Sequence, residues 1–279
     1  MKSAYQVVTD KVVELLEKGT VPWQKPWKPG MTPTNFKSGR HYKGINMFLL
    51  SVMGFESPYW LTLRQANKLG GRIKGGQKSV PVIFWNWIEI KDKETGDIKE
   101  KPFLKYYRVF NAEQITGITF PDLNIDQTEF TPIERCANII LAMSKAPEIQ
   151  HKMQSAWYRP DADIVNMPKP ESFDQPERYY STLFHELSHS TGHKDRLARE
   201  SLTAKAKFGT TKYGKEELVA EMGSTFLCSE AGIENMTIDN SAAYIENWLK
   251  RLRKDANLIV QSASQAQKAV DYILNANQN

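Results

Sequence analysis

The pentapeptide HELSH, residues 185 to 189, is the part of this sequence whose residue types and spacing most directly spell out chemistry. On a helix, residues four apart face the same side, so His185 and His189 can offer two imidazoles to one zinc ion. Glu186, one position past the first ligand, then reaches water held at the metal and acts as its general base, while zinc lowers the pKa of that water and polarises a carbonyl. The reaction class is hydrolysis, most often of a peptide bond. The preceding ERYYSTLF is apolar at helical spacing and predicts a helix over Glu177 to Ser190, which is the context the motif requires.

A catalytic zinc takes a third protein ligand, and three candidates are within reach. A helix predicted over Lys215 to Glu230 places Glu217 and Glu221 on one face at i,i+4, beside an apolar stripe of Leu218, Met222 and Phe226. Glu217 is the favoured ligand, with Glu221 orienting a ligand histidine through that ring's other nitrogen. Asp195 is the alternative, because H-E-x-x-H-x-x-G-x-x-D has the metzincin spacing with Asp for the third His and Gly192 turning the chain back. His193 lies one turn past His189, beyond Gly192, and reads as structural. Tyr213, just before the second helix, could donate to a developing oxyanion.

A second signal is charge. Up to Phe120 there are 19 Lys+Arg against 10 Asp+Glu, a net of +9, and the remainder carries −4. Between Lys18 and Ile88 lie 11 Lys+Arg and one acid, Glu56, together with five of the seven tryptophans. Cations beside exposed rings describe a groove for single-stranded nucleic acid, in which phosphates are neutralised and bases stack at roughly 1–3 kcal/mol each with little sequence preference. The candidate contacts are Trp23, Lys25, Trp27 and Lys28 in a proline-rich loop, then Lys37, Arg40, Tyr42, Lys43, Arg64, Arg72, Lys74 and Lys78. Phe48, Trp60 and Phe84 are assigned to the core.

The elements that must hold these residues are legible in outline. Val8, Val12, Leu15 and Leu16 predict a first helix stopped by Gly19, a second follows from Asn46 to Met53, and Trp60 to Leu69 reads as a third. VPVIFWNWIEI and FLKYYRVF alternate on either side of a charged tip, a hairpin pattern. The acidic segment Pro121 to Thr131 marks the charge reversal and divides the chain into domains 1–125 and 126–279. A helix then starts with Pro132 at its first position, SAWYRPDADIVNMP suggests a short hairpin, and Ala242 to Leu274 one or two terminal helices. The class is α+β: an α+β basic domain, then a mainly helical domain with a small sheet.

With 41% hydrophobic and 25% charged residues the chain is neither disordered nor fibrous. No apolar run approaches the ~20 residues of a membrane span, and no signal peptide is expected. Cys136 and Cys228 sit in helical patterns and support no disulfide framework, so a reducing cytoplasm fits.

The chain resembles the ArdC-type antirestriction family of mobile elements along almost its whole length. The resemblance rests on GTVPWQKPW, PTNFKSGRHYKGINMFLL, YWLTLRQANKLGG and YYRVFNAEQ in the first half, and on DADIVNMP, ERYYSTLFHELSHSTGHKDRL, YGKEELVAEMGSTFL and AAYIENWL in the second. It implies an N-terminal single-stranded-DNA-binding domain, a C-terminal zincin-like metallopeptidase domain similar to SprT and Spartan proteases, and protection of incoming DNA from restriction. It also implies His185 and His189 as zinc ligands, Glu186 as base and the EELVAE helix as source of the third ligand; the two halves read together add an unidentified protein near the DNA as the expected substrate. The competing reading is a non-enzymatic DNA-coating protein whose metal site is structural or vestigial.

Overall fold

The structure, a computed structural model, describes residues 2–24, 31–91, 98–121, 131–203, 211–237 and 241–276, with side chains described except at 87–102 and 211–213. Helix α1 (Ala4–Glu17) is capped by Ser3, whose hydroxyl accepts from the Gln6 amide, and buries Val8, Val12, Leu15 and Leu16. After it come β1 (Thr34–Asn35), β2 (Arg40–His41), α2 (Ile45–Ser51), β3 (Tyr59–Thr62), α3 (Leu63–Lys68), β4 (Arg72–Ile73), β5 (Val80–Lys91), β6 (Ile98–Asn111) and β7 (Ile115–Thr116). β5 and β6 form the expected long hairpin, in a five-stranded sheet of order β2-β1-β3-β6-β5.

The third predicted helix is divided. Trp60 and Leu61 belong to β3, paired with Asn111 and Phe110 of β6, and only Leu63–Lys68 is helical. The break falls at Thr62, which accepts from the Gln65 amide while the Gln65 side chain accepts from the Thr62 amide. This T-x-x-Q capping box is readable in the sequence and outweighs the apolar run before it.

The second half comprises α4 (Pro132–Ala142), β8 (Glu148–Gln150), β9 (Trp157–Arg159), β10 (Ile164–Asn166), α5 (Pro176–Ser190), α6 (Glu200–Thr203), α7 (Thr211–Ala231), α8 (Ala242–Lys254) and α9 (Leu258–Ile273). α4 begins with Pro132 behind a Thr131–Glu134 capping box. Its small sheet has the order β8-β10-β9, with β9 and β10 antiparallel and β8 parallel to β10. The architecture is α+β in two modules. The acidic segment proposed as their boundary lies, from residue 122 to 130, outside the described residues.

One buried core runs through both modules. Phe48 of α2 stacks on Phe226 of α7 with centroids 4.4 Å apart, and Thr9 of α1 donates to the Ala256 carbonyl between α8 and α9 at 2.7 Å. Leu218, Met222 and Phe226 are buried, as the α7 pattern predicts. α5 and α7 cross closely: Ser224 donates to the Ser181 carbonyl at 2.8 Å, and a Cβ on Gly223 would lie 2.5 Å from Ser188 Oγ and 3.0 Å from its Cβ. Gly223→Ala therefore forces the two helices apart, and chemical denaturation should show a loss of about 1–3 kcal/mol.

Candidate metal centre and nucleic-acid groove

Helix α5 carries His185 and His189 one turn apart, and α7 runs beside it. The two Nε2 atoms lie 3.1 Å apart, Glu217 Oε2 is 3.6 Å from His185 Nε2, and Glu217 Oε1 is 3.7 Å from His189 Nε2. These three residues form the one group of potential metal ligands among the described residues, with ligand atoms within 4.8 Å of one another. A tetrahedral ion with bonds near 2.0–2.1 Å has ligand atoms about 3.3 Å apart, so two imidazoles and a carboxylate at these separations fit one divalent ion.

The surroundings favour positive charge at the same point. Burial works against a charged His189 ring, but the hydrogen bond to Glu216 and the fields of Glu186, Glu216 and Glu217 outweigh it and raise the pKa. An environment that stabilises a proton on the ring stabilises a cation shared by its neighbours as well.

Behind His189 stands Glu216, which the sequence reading does not single out. Its Oε1 is 3.4 Å from His189 Nδ1 and its carboxylate receives Arg199 Nε at 3.2 Å and Nη2 at 2.5 Å, with Ser201 donating at 2.5 Å. Burial pushes this carboxyl up, yet the bonds from His189 and Arg199 win and hold it at about 2. Arg199, itself buried, also donates to Thr191 Oγ1 and to the carbonyls of Ser188 and His189. Gly192 lies in the turn that follows Ser190, the last residue of α5, as expected, and it has a second role there. A Cβ there would meet the Arg199 guanidinium at 2.9 Å, so the glycine makes room for the arginine. The usable signal for Glu216 is the doubled acid of KEEL, which offers the α5 seam two adjacent carboxylates.

Glu221 is one turn past Glu217 but takes its hydrogen bonds from elsewhere. Tyr244 Oη donates to its Oε2 at 2.6 Å and Trp23 Nε1 at 3.2 Å. Burial raises its pKa, while Tyr244, then the charge of the nearby His185 ring, then Trp23 pull against that. Asp195 stays apart from the three candidate ligands: its side chain is 70% exposed and sits 3.6 Å from His193 Nδ1. The turn after Gly192 points it at its own neighbour rather than at the α5–α7 seam. The Tyr213 side chain lies outside the described residues.

The three candidate ligands and Glu186 open into a cleft of about 910 Å³. One wall is β9, through Trp157 and Tyr158, an edge strand of its sheet. Arg196 ties that wall to the metal helix, donating to the Ser190 carbonyl at 2.7 Å, to Tyr158 Oη at 3.2 Å and to Asp163.

The second cavity, about 710 Å³, lies on the basic module. Lys37, Arg64, Lys68, Lys105 and Arg108 line it together with Phe84, Trp85 and Tyr107. The rings are 43%, 52% and 44% exposed, so Phe84 is a surface residue and the assignment to the core is corrected. Phe84 lies against the rings of Tyr42 and Tyr107, with centroids 6.2 and 5.5 Å apart, and pairs across the hairpin with Lys105. Trp60 and Phe48 are buried as expected.

The expected DNA contacts divide accordingly. Lys37, Tyr42 and Arg64 line the groove, Tyr42 as a buried floor residue whose hydroxyl accepts from Asn35. Trp23 is fully buried between α7 and α8 and is corrected from a contact to a core residue, because its indole N–H finds partners inside the protein. Arg40, Lys43, Arg72, Lys74 and Lys78 do not line the groove; Lys43 pairs with Asp271 and Lys74 donates to the Glu113 carbonyl. Lys25, Trp27 and Lys28 lie outside the described residues. Lys68, Trp85, Lys105, Tyr107 and Arg108 also line the groove and are not among the candidate contacts read from the sequence, although the alternation of Lys105 and Tyr107 along β6 is a signal for an outward face.

Residues 2–110 match the family described as the N-terminal domain of anti-restriction factor ArdC, and residues 135–265 match the zincin-like metallopeptidase family. The metal-free crystal structure of the antirestriction ArdC protein from the R388 plasmid is 38% identical, with 96% of each chain covered and a TM-score of 0.75. This chain belongs to the ArdC family of antirestriction proteins. The Mn(II)-bound crystal structure of the R388 ArdC protein is 36% identical, with 99% of each chain covered and a TM-score of 0.76. Among curated ArdC relatives, the DNA primase TraC of Escherichia coli is 36% identical over 294 residues, which is 98% of this chain and 27% of the primase, so this chain spans about a quarter of that protein. The y4eC protein of Sinorhizobium fredii (strain NBRC 101917 / NGR234) is 30% identical, covering 96% of this chain and 91% of its own. Among the described residues, no helix of this ArdC-family chain is long and apolar enough to cross a membrane.

Proposed function

We propose that this chain protects incoming mobile-element DNA by holding single-stranded DNA in the β5–β6 groove while its second module hydrolyses a peptide bond in a protein near that DNA. The observation that carries the reading is the convergence of His185, His189 and Glu217 at one open cleft that also contains Glu186. These three residues would hold the metal, zinc by the preference of a two-imidazole, one-carboxylate set with an open position, and the R388 ArdC protein with Mn(II) supports a divalent ion. Bound there, the ion supplies Lewis acidity and a more acidic water.

The chain's own residues do the rest. Glu186 accepts the proton of the attacking water and returns it to the leaving amine. The open edge of β9 offers backbone groups to an extended peptide, which adds as a further strand and is thereby aligned beside α5. Glu216 fixes the His189 ring so that Nε2 faces the ion. In the basic module the lysines and arginines meet phosphates and the rings of Phe84, Trp85 and Tyr107 meet bases.

A time course of casein cleavage and self-cleavage with zinc, with and without single-stranded DNA, tests the reading. Metal-dependent cleavage that DNA stimulates supports a DNA-coupled peptidase. No cleavage in either condition, with metal bound, leaves the DNA-coating role as the better account. For the groove, Trp85→Ala and Tyr107→Ala should each weaken single-strand binding by about 1–3 kcal/mol, roughly 5- to 150-fold, with a steep salt dependence in fluorescence anisotropy. Duplex binding as tight as single-strand binding would count against stacking.

A further inference from the structure

The basic groove has charged and aromatic walls, but part of its lining is a polar network. Asn35 of β1, Tyr42, and Thr62 and Gln65 at the start of α3 line the groove together. Backbone donors fix which way both amides face: the Ser38 amide donates to Asn35 Oδ1 at 3.1 Å, and the Thr62 amide to Gln65 Oε1 at 2.9 Å. Each oxygen has further donors, Ser38 Oγ and Gln65 Nε2 on Asn35, Thr62 Oγ1 and Asn35 Nδ2 on Gln65, so the lone pairs of both are taken. Asn35 Nδ2 also donates to Tyr42 Oη at 3.3 Å. Because Tyr42 Oη accepts in that bond, its own proton is free for another partner, and no described residue takes it. One Gln65 Nε2 proton is spare in the same way. Burial pushes the Tyr42 phenol up, against the opposing bond from Asn35, so the hydroxyl keeps its proton and remains a donor. The network therefore offers the groove two donors and keeps its amide oxygens for itself.

We propose that Tyr42 and Gln65 read the bound bases, selecting those that present a carbonyl oxygen over adenine, which has none. This rests on the reading that the groove holds single-stranded DNA. The Phe84 ring lies 6.2 Å from that of Tyr42, so a base stacked on Phe84 brings its edge to the donors beside it. Stacking on Phe84, Trp85 and Tyr107 is nearly indifferent to the base, which leaves discrimination to the polar network. A carbonyl oxygen of thymine, guanine or cytosine accepts from Tyr42 or Gln65. Adenine instead sets an amine beside its ring acceptors, and that amine meets N–H and O–H donors, so hydrogen-bonding groups on both sides go unpaired.

The test uses the full chain and the fluorescence anisotropy of short labelled strands of thymidine, deoxyadenosine and deoxyinosine. Hypoxanthine, the base of inosine, carries a carbonyl oxygen where adenine has its exocyclic amine, so those two strands compare the two groups on one purine frame. The chain should bind the thymidine and inosine strands about 3- to 10-fold tighter than the adenosine strand, the contribution of one net hydrogen bond. Tyr42→Phe removes one oxygen and should bring the inosine-to-adenosine ratio to within about 2-fold. Gln65→Glu keeps an oxygen to accept from Thr62 but exchanges the spare donor for an acceptor, and should turn the ratio toward adenosine, whose amine can donate to it. The added charge weakens all strands together and cancels in the ratio. A preference lost or reversed in either variant supports the proposal. Equal affinity for inosine and adenosine strands in the unaltered chain would overturn it, as would a ratio that survives in both variants. Should Tyr42→Phe fail to fold, Gln65→Glu decides alone. Failure to bind any of the three strands defeats the single-strand reading of the groove itself, and this proposal with it.

Discussion

Glu186→Gln should lower peptide hydrolysis by about 10²- to 10⁴-fold while leaving metal content and single-strand affinity unchanged. Glutamine preserves the volume of a side chain that is only 9% exposed, so the α5 helix and the three candidate ligands stay in place. What it removes is basicity: the amide oxygen can accept a hydrogen bond from water but cannot take its proton. Initial rates against a peptide substrate, paired with metal analysis of the same samples, separate loss of chemistry from loss of the ion. Undiminished cleavage would place the activity elsewhere. The same variant in cells answers a second question, because full protection of incoming DNA by Glu186→Gln would show that hydrolysis is dispensable for antirestriction.

The largest stability effect is expected at Arg199. Its guanidinium makes bonds to Glu216, Thr191 and two carbonyls in a site where both members of the ion pair are nearly inaccessible, with side chains 3% and 4% exposed. Arg199→Met keeps much of the volume and leaves Glu216 charged, buried and short of its main partner. Breaking one side of a buried pair costs about 3–5 kcal/mol, on the order of 10 °C in melting temperature for a chain of this size. Adding Glu216→Gln should restore part of that loss, since no uncompensated charge remains, but metal affinity should stay low because His189 has lost its oriented partner. A double variant as unstable as the single would show that the arginine's bonds to the α5 carbonyls, rather than the ion pair, hold the turn after α5.

Much of the fold was legible because it depends on local periods. The α1 stripe, the β5–β6 alternation, Pro132 behind its cap and the α7 stripe each declare an element within a dozen residues. The exception, the strand inside the expected third helix, still had a local signature at Thr62 and Gln65. Exposure was less legible. Trp23 and Phe84 were assigned opposite environments from those observed, because an aromatic next to lysines has the same local sequence whether it faces solvent or a neighbouring helix.

The sequence by itself determined which side chains share a helix face: His185 with His189, and Glu217 with Glu221, through the 3.6-residue period of the backbone. It also determined that the basic and acidic halves differ and that HELSH sits in a helix. Only the tertiary structure decided which carboxylate meets which ring. The α5 helix lies along the seam between Glu216 and Glu217, so adjacent residues that point about 100° apart both reach the histidines. It likewise decided that Trp23, about 200 residues away in sequence, meets Glu221, and that the groove draws on β1, α3, β5 and β6 together. Backbone geometry sets the faces of an element over a few residues, whereas the partner of each face is chosen by long-range packing of the whole core.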